Sequence, residues 1–227
     1  MDDAVAIVLA AGLGERMNAE MPKALMPFDG TTVVARAVER ACGCSGISSV
    51  IVVAPAGWEE TVRTLVEPLG VADVVTGGAT RQASVVAALH AVEGAGRILC
   101  HDAARPLATS TLFERALEAL EGWDGVVPVM PMVETVKRVR DGRVEGTEPR
   151  ESLALAQTPQ AFVASALRTA HDGAAREGFD ATDDALLLER AGFRVRAIEG
   201  ERTNLKITTA EDVRLAEALA SPTGSRS

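Results

Sequence analysis

The chain has 227 residues, 47% of them hydrophobic and 24% charged, which is enough apolar material for one compact domain and too little chain for a multidomain machine. With 32 acids against 23 lysines and arginines the net charge is -9, which argues against a nucleic-acid backbone held by general attraction. Aromatics make up only 3%, with no Tyr, so a stacking platform for single-stranded nucleic acid is not expected either, and any anionic ligand must meet a local basic cluster.

The apolar opening at 4–11 follows Asp2-Asp3 rather than a basic segment. It is far shorter than the roughly 20 residues that span a bilayer, so it predicts a buried first strand over 4–9 and no membrane span. Further short Val/Ile-rich runs at 49–53, 73–76, 97–101 and 125–129 alternate with helical spacing at 32–41, 59–69, 81–92 and 110–120. That alternation predicts an α/β domain with a doubly wound, mostly parallel sheet. At 131–150 the rhythm breaks: Val133 to Val139 alternates, Asp141-Gly142 offers a tight turn, and Arg143-Val144-Glu145 resumes. This predicts a polar β-hairpin arm with little core of its own, for which a second subunit is the economical packing partner and a solvent-exposed flap the competing reading. Beyond it the pattern is helix, strand and helix. Thr208 to Glu211 reads as a capping box, the domain ends near 220, and 221–227 reads as a frayed tail. Cys42, Cys44 and Cys100 fit neither a disulfide framework nor a Cys-x-x-Cys metal site, so a reducing cytoplasm is the expected compartment.

Ligands of open α/β sheets bind at the carboxyl ends of the strands. The first strand ends in Ala10-Ala11-Gly12-Leu13-Gly14-Glu15-Arg16-Met17, with Pro22-Lys23 following. Glycines there let backbone N–H groups approach a phosphate, and Arg16 and Lys23 supply positive charge. The segment is neither a dinucleotide fingerprint nor a P-loop, since Met17 and Gly14-Glu15-Arg16 stand where those motifs need other residues. A plain Gly-rich turn is the competing reading. After the fourth buried run comes Cys100-His101-Asp102-Ala103-Ala104-Arg105-Pro106. Asp102 is placed to hold magnesium against substrate phosphates, with Arg105 near enough to reach the same anion; otherwise Asp102 caps a turn and His101 is a hydrogen-bonded core residue.

Leu-Ala-Ala-Gly-x-Gly-x-Arg-Met followed by Pro-Lys resembles the signature of nucleotidyltransferases with a Rossmann-like fold. His101 to Pro106, Glu134 to Lys137, Gln157 to Gln160, Thr182 to Asp184 and Asn204 to Thr208 resemble, in order, the 2-C-methyl-D-erythritol 4-phosphate cytidylyltransferase family. The resemblance implies CTP and methylerythritol phosphate as substrates, Mg2+ as cofactor and a homodimer joined through the 131–150 arm. It assigns Arg16 and Lys23 as catalytic bases, Asp102 as the metal-binding residue, and Ala10, Ala11, Gly12, Gly14, Gly78 and Ser84 to the nucleotide. Thr135, Arg150 and Lys206 go to the acceptor phosphate, the first two reaching across the dimer.

Ala79 and Thr203 stand where some relatives carry acids. Gly77-Gly78 alone reads equally as a turn, Lys137 and Arg138 as solvated hairpin charges, and Thr182-Asp183-Asp184 as a helix N-cap. Competing functions are a cytidylyltransferase for another polyol phosphate such as ribitol 5-phosphate, a nucleotide-sugar glycosyltransferase, and a nucleotide sensor without turnover. The glycosyltransferase would display Asp-x-Asp where this chain has Asp102-Ala103-Ala104.

Overall fold

A computed structural model describes residues 3–12, 21–92 and 94–220. Strand β1 (Ala4–Leu9) lies at the centre, followed by the short pair β2 (Pro27–Phe28) and β3 (Thr31–Thr32), helix α1 (Val33–Cys42), β4 (Ile47–Ala54), α2 (Glu59–Val66), β5 (Asp73–Thr76), α3 (Arg81–Ala91), β6 (Arg97–Asp102), α4 (Ser110–Glu118) and β7 (Gly125–Pro131). The arm is β8 (Val136–Arg140) and β9 (Arg143–Glu148). The chain then returns through β10 (Ala154–Ala156), β11 (Gln160–Val163), α5 (Ala164–Glu177), α6 (Asp184–Arg190), β12 (Val195–Glu199) and α7 (Ala210–Ala220).

The main sheet runs β5-β4-β1-β6-β11-β7, with β10 and β12 both paired to β7. The pairs β1–β4, β1–β6, β4–β5 and β7–β12 are parallel, while β10 and β11 run antiparallel to their neighbours. Because the chain leaves β1 toward β4 and β5 and returns to β6 on its other side, the carboxyl ends of β1 and β6 flank a topological switch point. Buried apolar side chains coat both faces, one packed under α1, α2 and α4 and the other under α3, α5 and α6. This explains why β1 and β4 read as nearly continuous Val, Ile and Ala rather than alternating. A smaller cluster of Phe28, Val33, Leu107, Ile207 and Ala216 seats α7 and the loop before it.

Four helices start at side-chain caps: Thr32, Thr80, Thr109 and Asp183 each accept a bond from the backbone N–H three residues on. The final helix does the same one position later than the spacing suggests. Asp212 Oδ2 accepts from Thr209 N and Thr209 Oγ1 from Asp212 N, so the reciprocal box is Thr209 with Asp212, not Thr208 with Glu211. The region after the arm also holds two strands, β10 and β11, where helix, strand and helix were expected. Residues 221–227, expected to form a tail, lie outside the described residues. Among the described residues no helix is long and apolar enough to cross a membrane.

Candidate active site

A cavity of about 710 Å³ opens at the switch point, lined by Ala10, Ala11 and Gly12 after β1, by Gly77 to Arg81 and Ser84 at the start of α3, by Asp102 to Ala104 after β6, and by Lys23, Lys206 and Thr208. Three segments far apart in sequence meet there because β6 pairs directly with β1, and β5 lies one strand further on, beyond β4.

The close approach of two of them demands glycine. A Cβ on Gly77 would lie 2.2 Å from the Ala11 Cβ, and one on Gly78 would lie 2.5 Å from the Ala83 Cβ. Gly77 N–H donates to Ala54 O at 2.8 Å, and Gly78 N–H to Ser84 Oγ at 3.1 Å, while Ser84 passes its own hydroxyl hydrogen to Thr80 O at 2.9 Å. The Gly77-Gly78 pair is thus a packing requirement of the cavity wall, with Ser84 buried behind it.

Asp102 is the carboxylate around which the charges gather. Lys206 Nζ donates to its Oδ2 at 2.6 Å and Arg81 Nε to its Oδ1 at 3.3 Å. Burial alone would raise its pKa, but the Arg81 and Lys206 cations outweigh that and hold it well below the usual carboxylate range. Arg81 also binds the buried Asp184, Nη1 to Oδ2 at 2.7 Å, and His171 Nε2 lies 3.0 Å from Asp184 Oδ1. Burial opposes the charged form of Arg81, yet Asp184 and Asp102 raise its pKa further and keep it a fixed cation.

The backbone end of Asp102 is held by a chain of bonds whose directions follow from the acceptor at its end. His101 Nε2 lies 3.2 Å from Arg105 O, and a carbonyl only accepts, so Nε2 carries the hydrogen. In the neutral ring Nδ1 then accepts from Thr158 Oγ1 at 3.1 Å, and Thr158 Oγ1 in turn accepts Asp102 N–H at 3.0 Å. Burial pushes the His101 pKa down to about 4, so the ring stays neutral near pH 7. His101 is the core histidine of the bland alternative, whereas Asp102 is a strand-end acid in the cavity and not a turn cap.

The loop carrying Lys206 has no regular structure and is fastened by side chains instead. Gln157 bonds Glu201 O and Asn204 O through Nε2 and Glu201 N and Asn204 Nδ2 through Oε1. Ile207 N–H donates to Ala104 O at 2.8 Å, and Lys23 Nζ donates to Ile207 O at 2.8 Å. These bonds bring Lys23 and Lys206 to one rim.

Arg105 departs from its expected place. Its Nη1 and Nη2 donate to Asn204 O at 2.7 Å and Ala156 O at 3.1 Å, so it ties the Lys206 loop to β10 and is absent from the cavity lining. Thr135 and Arg150 are exposed on the arm, Arg150 Nη1 donating to Val133 O at 2.6 Å, and neither lines the cavity of its own chain. Lys137 and Arg138 are spent within the hairpin on Thr147 and Glu148. Gly14 and Arg16 lie outside the described residues. Of the Thr182-Asp183-Asp184 run, Asp183 is the N-cap, but Asp184 reaches Arg81. Reading the residues in order missed Arg81, Asp184, His171 and Thr158. Arg81 alone carried a visible signal, a base in the first turn after a Gly-Gly pair.

Among the described residues no cluster of three His, Cys, Asp or Glu side chains could hold a metal by itself. Magnesium, however, binds through one or two carboxylates completed by phosphate oxygens and water. Asp102 fits that donor set, being ionised, in the cavity wall, and with its Oδ1 engaged, among the described residues, by the long Arg81 contact alone.

A backbone-walled cavity at a switch point, with Lys206 and Arg81 on one ionised carboxylate and Lys23 on the same rim, is the arrangement of a nucleotidyltransferase of the doubly wound class. A family model described as IspD, 2-C-methyl-D-erythritol 4-phosphate cytidylyltransferase, matches residues 4–221, and the chain belongs to that family. A protein of that name from Rhodococcus jostii is 45% identical over 217 residues, covering 95% of this chain and 94% of its own. The crystal structure of the enzyme of that name from Thermus thermophilus is similar with a TM-score of 0.80 at 36% identity, covering 96% of this chain and 98% of the other. The 4-diphosphocytidyl-2C-methyl-D-erythritol synthase of Anaerococcus prevotii matches with a TM-score of 0.85 at 29% identity and 96% coverage of both chains.

Proposed function

We propose that this chain transfers CMP from CTP to the 4-phosphate of 2-C-methyl-D-erythritol and releases pyrophosphate. The observation that carries the reading is the meeting of Lys23, Arg81 and Lys206 with Asp102 in one glycine-walled cavity, in a chain that the family matches almost end to end.

The acceptor phosphate is already a nucleophile near neutral pH, so the protein needs no proton-abstracting triad. It must hold two polyanions in line while charge grows on the α-phosphoryl oxygens and on the leaving pyrophosphate. The backbone of Ala10 to Gly12 and of Gly78 borders the nucleotide. Lys23, on the cavity rim, offsets the developing charge, a role that the family resemblance also gives to Arg16. Asp102 would hold magnesium, which when bound spreads positive charge across the triphosphate oxygens. Lys206 takes the acceptor phosphate. Lys23, Arg81 and Lys206, gathered on one cavity, supply a positive focus that a chain of net charge -9 lacks overall.

The acceptor half is completed by a second copy. The arm displays Val139 and Val144 as an exposed cross-strand pair, with Val133 and Leu155 also exposed. A two-stranded hairpin with such a surface is not stable alone, and in a homodimer it carries Thr135 and Arg150 to the neighbour's cavity. The chain is then one catalytic domain over 1–220, its 131–150 arm included, working in the cytoplasm.

The test is pyrophosphate release with Mg2+, CTP or UTP, and a panel of polyol phosphates. Turnover with CTP and methylerythritol phosphate, well above that with ribitol 5-phosphate, is expected. UTP presents an acceptor where cytosine has its amino group, and a buried carbonyl left unpaired costs about 1 to 3 kcal/mol, so CTP should be favoured by at least about fivefold. Preference for ribitol 5-phosphate would assign the sister activity, and CTP binding without release would mark a sensor.

A further inference from the structure

The contact between Arg81 and Asp102 is half of a fork. Nε and Nη2 of a guanidinium point the same way and together grip both oxygens of a carboxylate. Here Nε reaches Asp102 Oδ1 at 3.3 Å, while Nη2 is buried with no hydrogen-bond partner among the described residues. Two contacts keep the fork open: Lys206 occupies Asp102 Oδ2 at 2.6 Å, and Asp184 Oδ2 holds Arg81 Nη1 at 2.7 Å from the opposite side. Asp184 cannot drift toward the cavity. Its side chain is 1% exposed, it sits in the first turn of α6, and its other oxygen pairs with His171, itself buried on α5.

We propose that Asp184, seated by His171, is a positioning residue that restrains Arg81 from closing on Asp102, so that one Asp102 oxygen stays open for the divalent cation. A buried carboxylate needs a cationic partner, and Arg81 is the cation in reach of both acids. A guanidinium satisfied by Asp184 leaves only a long single contact for Asp102; released from Asp184, it has every reason to pair with Asp102 through two short bonds. Asp184 therefore tunes how strongly the metal-binding acid is neutralised, from a place that lines no part of the cavity. The inference rests on the reading of Asp102 as the metal-binding residue.

The probe is Mn2+, its free form read by electron paramagnetic resonance as it is titrated into the full-length protein with α,β-methylene CTP, which cannot react. Asp102→Asn tests the underlying reading: if it binds Mn2+ as well as the unaltered protein does, Asp102 is not the metal residue and the whole scheme falls. With that loss observed, Asp184→Asn is expected to weaken Mn2+ at least fivefold and, in its crystal structure, to show Arg81 Nε and Nη2 both on Asp102. Unchanged Mn2+ affinity, or Arg81 remaining where it is, overturns the proposal while leaving the metal reading intact. Arg81→Lys gives a second arm should Asp184→Asn not fold. A single ammonium can satisfy Asp184 but cannot fork Asp102, so binding as tight as in the unaltered protein, or tighter, is expected. A fivefold weakening there contradicts the proposal.

Discussion

Lys23 stands in a short helical turn opened by Pro22, and its ammonium donates to the backbone of the loop that carries Lys206. The ammonium is therefore aimed at the cavity rim by a fixed acceptor instead of by a flexible stem. Lys23→Met should leave the circular dichroism spectrum unchanged and reduce turnover on the order of 100-fold or more, as for loss of one preorganised donor; near-normal turnover would remove Lys23 from the chemistry. Gly77 tests the wall rather than the charge. Since a Cβ there would collide with Ala11, Gly77→Ala should raise the KM for CTP severalfold and lower stability by about 1 to 3 kcal/mol, the usual range for overpacking, with little change in KM for the acceptor. Both residues could be picked out of the sequence, because glycines and lysines beside a strand end announce phosphate chemistry by type alone. Asp184 could not. An acid behind a threonine in a first helical turn has a sufficient local explanation, and its partner Arg81 lies 103 positions away.

The elements that could be read were those whose burial is uniform. Ala4–Leu9 has the bounds that its apolar run suggests, because a strand covered on both faces has no polar side to blur it. β10 and β11 escaped because Ala154 to Val163 mixes small, polar and apolar residues with no period, and their pairing is decided by the edges of β6 and β7 instead. That segment also carries Thr158, whose hydroxyl connects His101 to the Asp102 backbone. The relay gives β6 a pH dependence. Buried His101 has its pKa lowered from 6.5 to about 4, so below pH 6.5 the unfolded chain takes up a proton that the folded chain refuses. Stability is therefore full above that pH and declines as pH falls toward 4, by up to about 1.4 kcal/mol per unit from this group. Urea melts at pH 7 and pH 5 should differ by about 2 kcal/mol, and His101→Gln should flatten that difference. An equal slope in the variant would assign the loss to other groups.

At the scale of the whole molecule, the parallel half of the sheet with α3 supplies the cavity wall proposed for the nucleotide, and the loop before α7 brings Lys206 to it. The arm emerges between β7 and β10 and leaves its own cavity untouched. Its exposed valines and its Thr135 and Arg150 are accounted for together in the proposed dimer, where a neighbouring chain receives them. That division, nucleotide half from one body and acceptor half completed by the other's arm, yields a complementation test. Arg150→Ala should raise the apparent KM for methylerythritol phosphate far more than that for CTP, since in the proposed shared site it removes a two-bonded phosphate contact. Subunits bearing Arg150→Ala are then mixed with subunits bearing Lys23→Met, each inactive or nearly so under limiting acceptor. In a mixed dimer one site collects both defects, while the other joins an intact body to an intact arm. Pyrophosphate release should return, with up to half of the mixed dimers' sites active; a mixture that stays as inactive as its parents, although subunit exchange is demonstrated, would contradict the shared site.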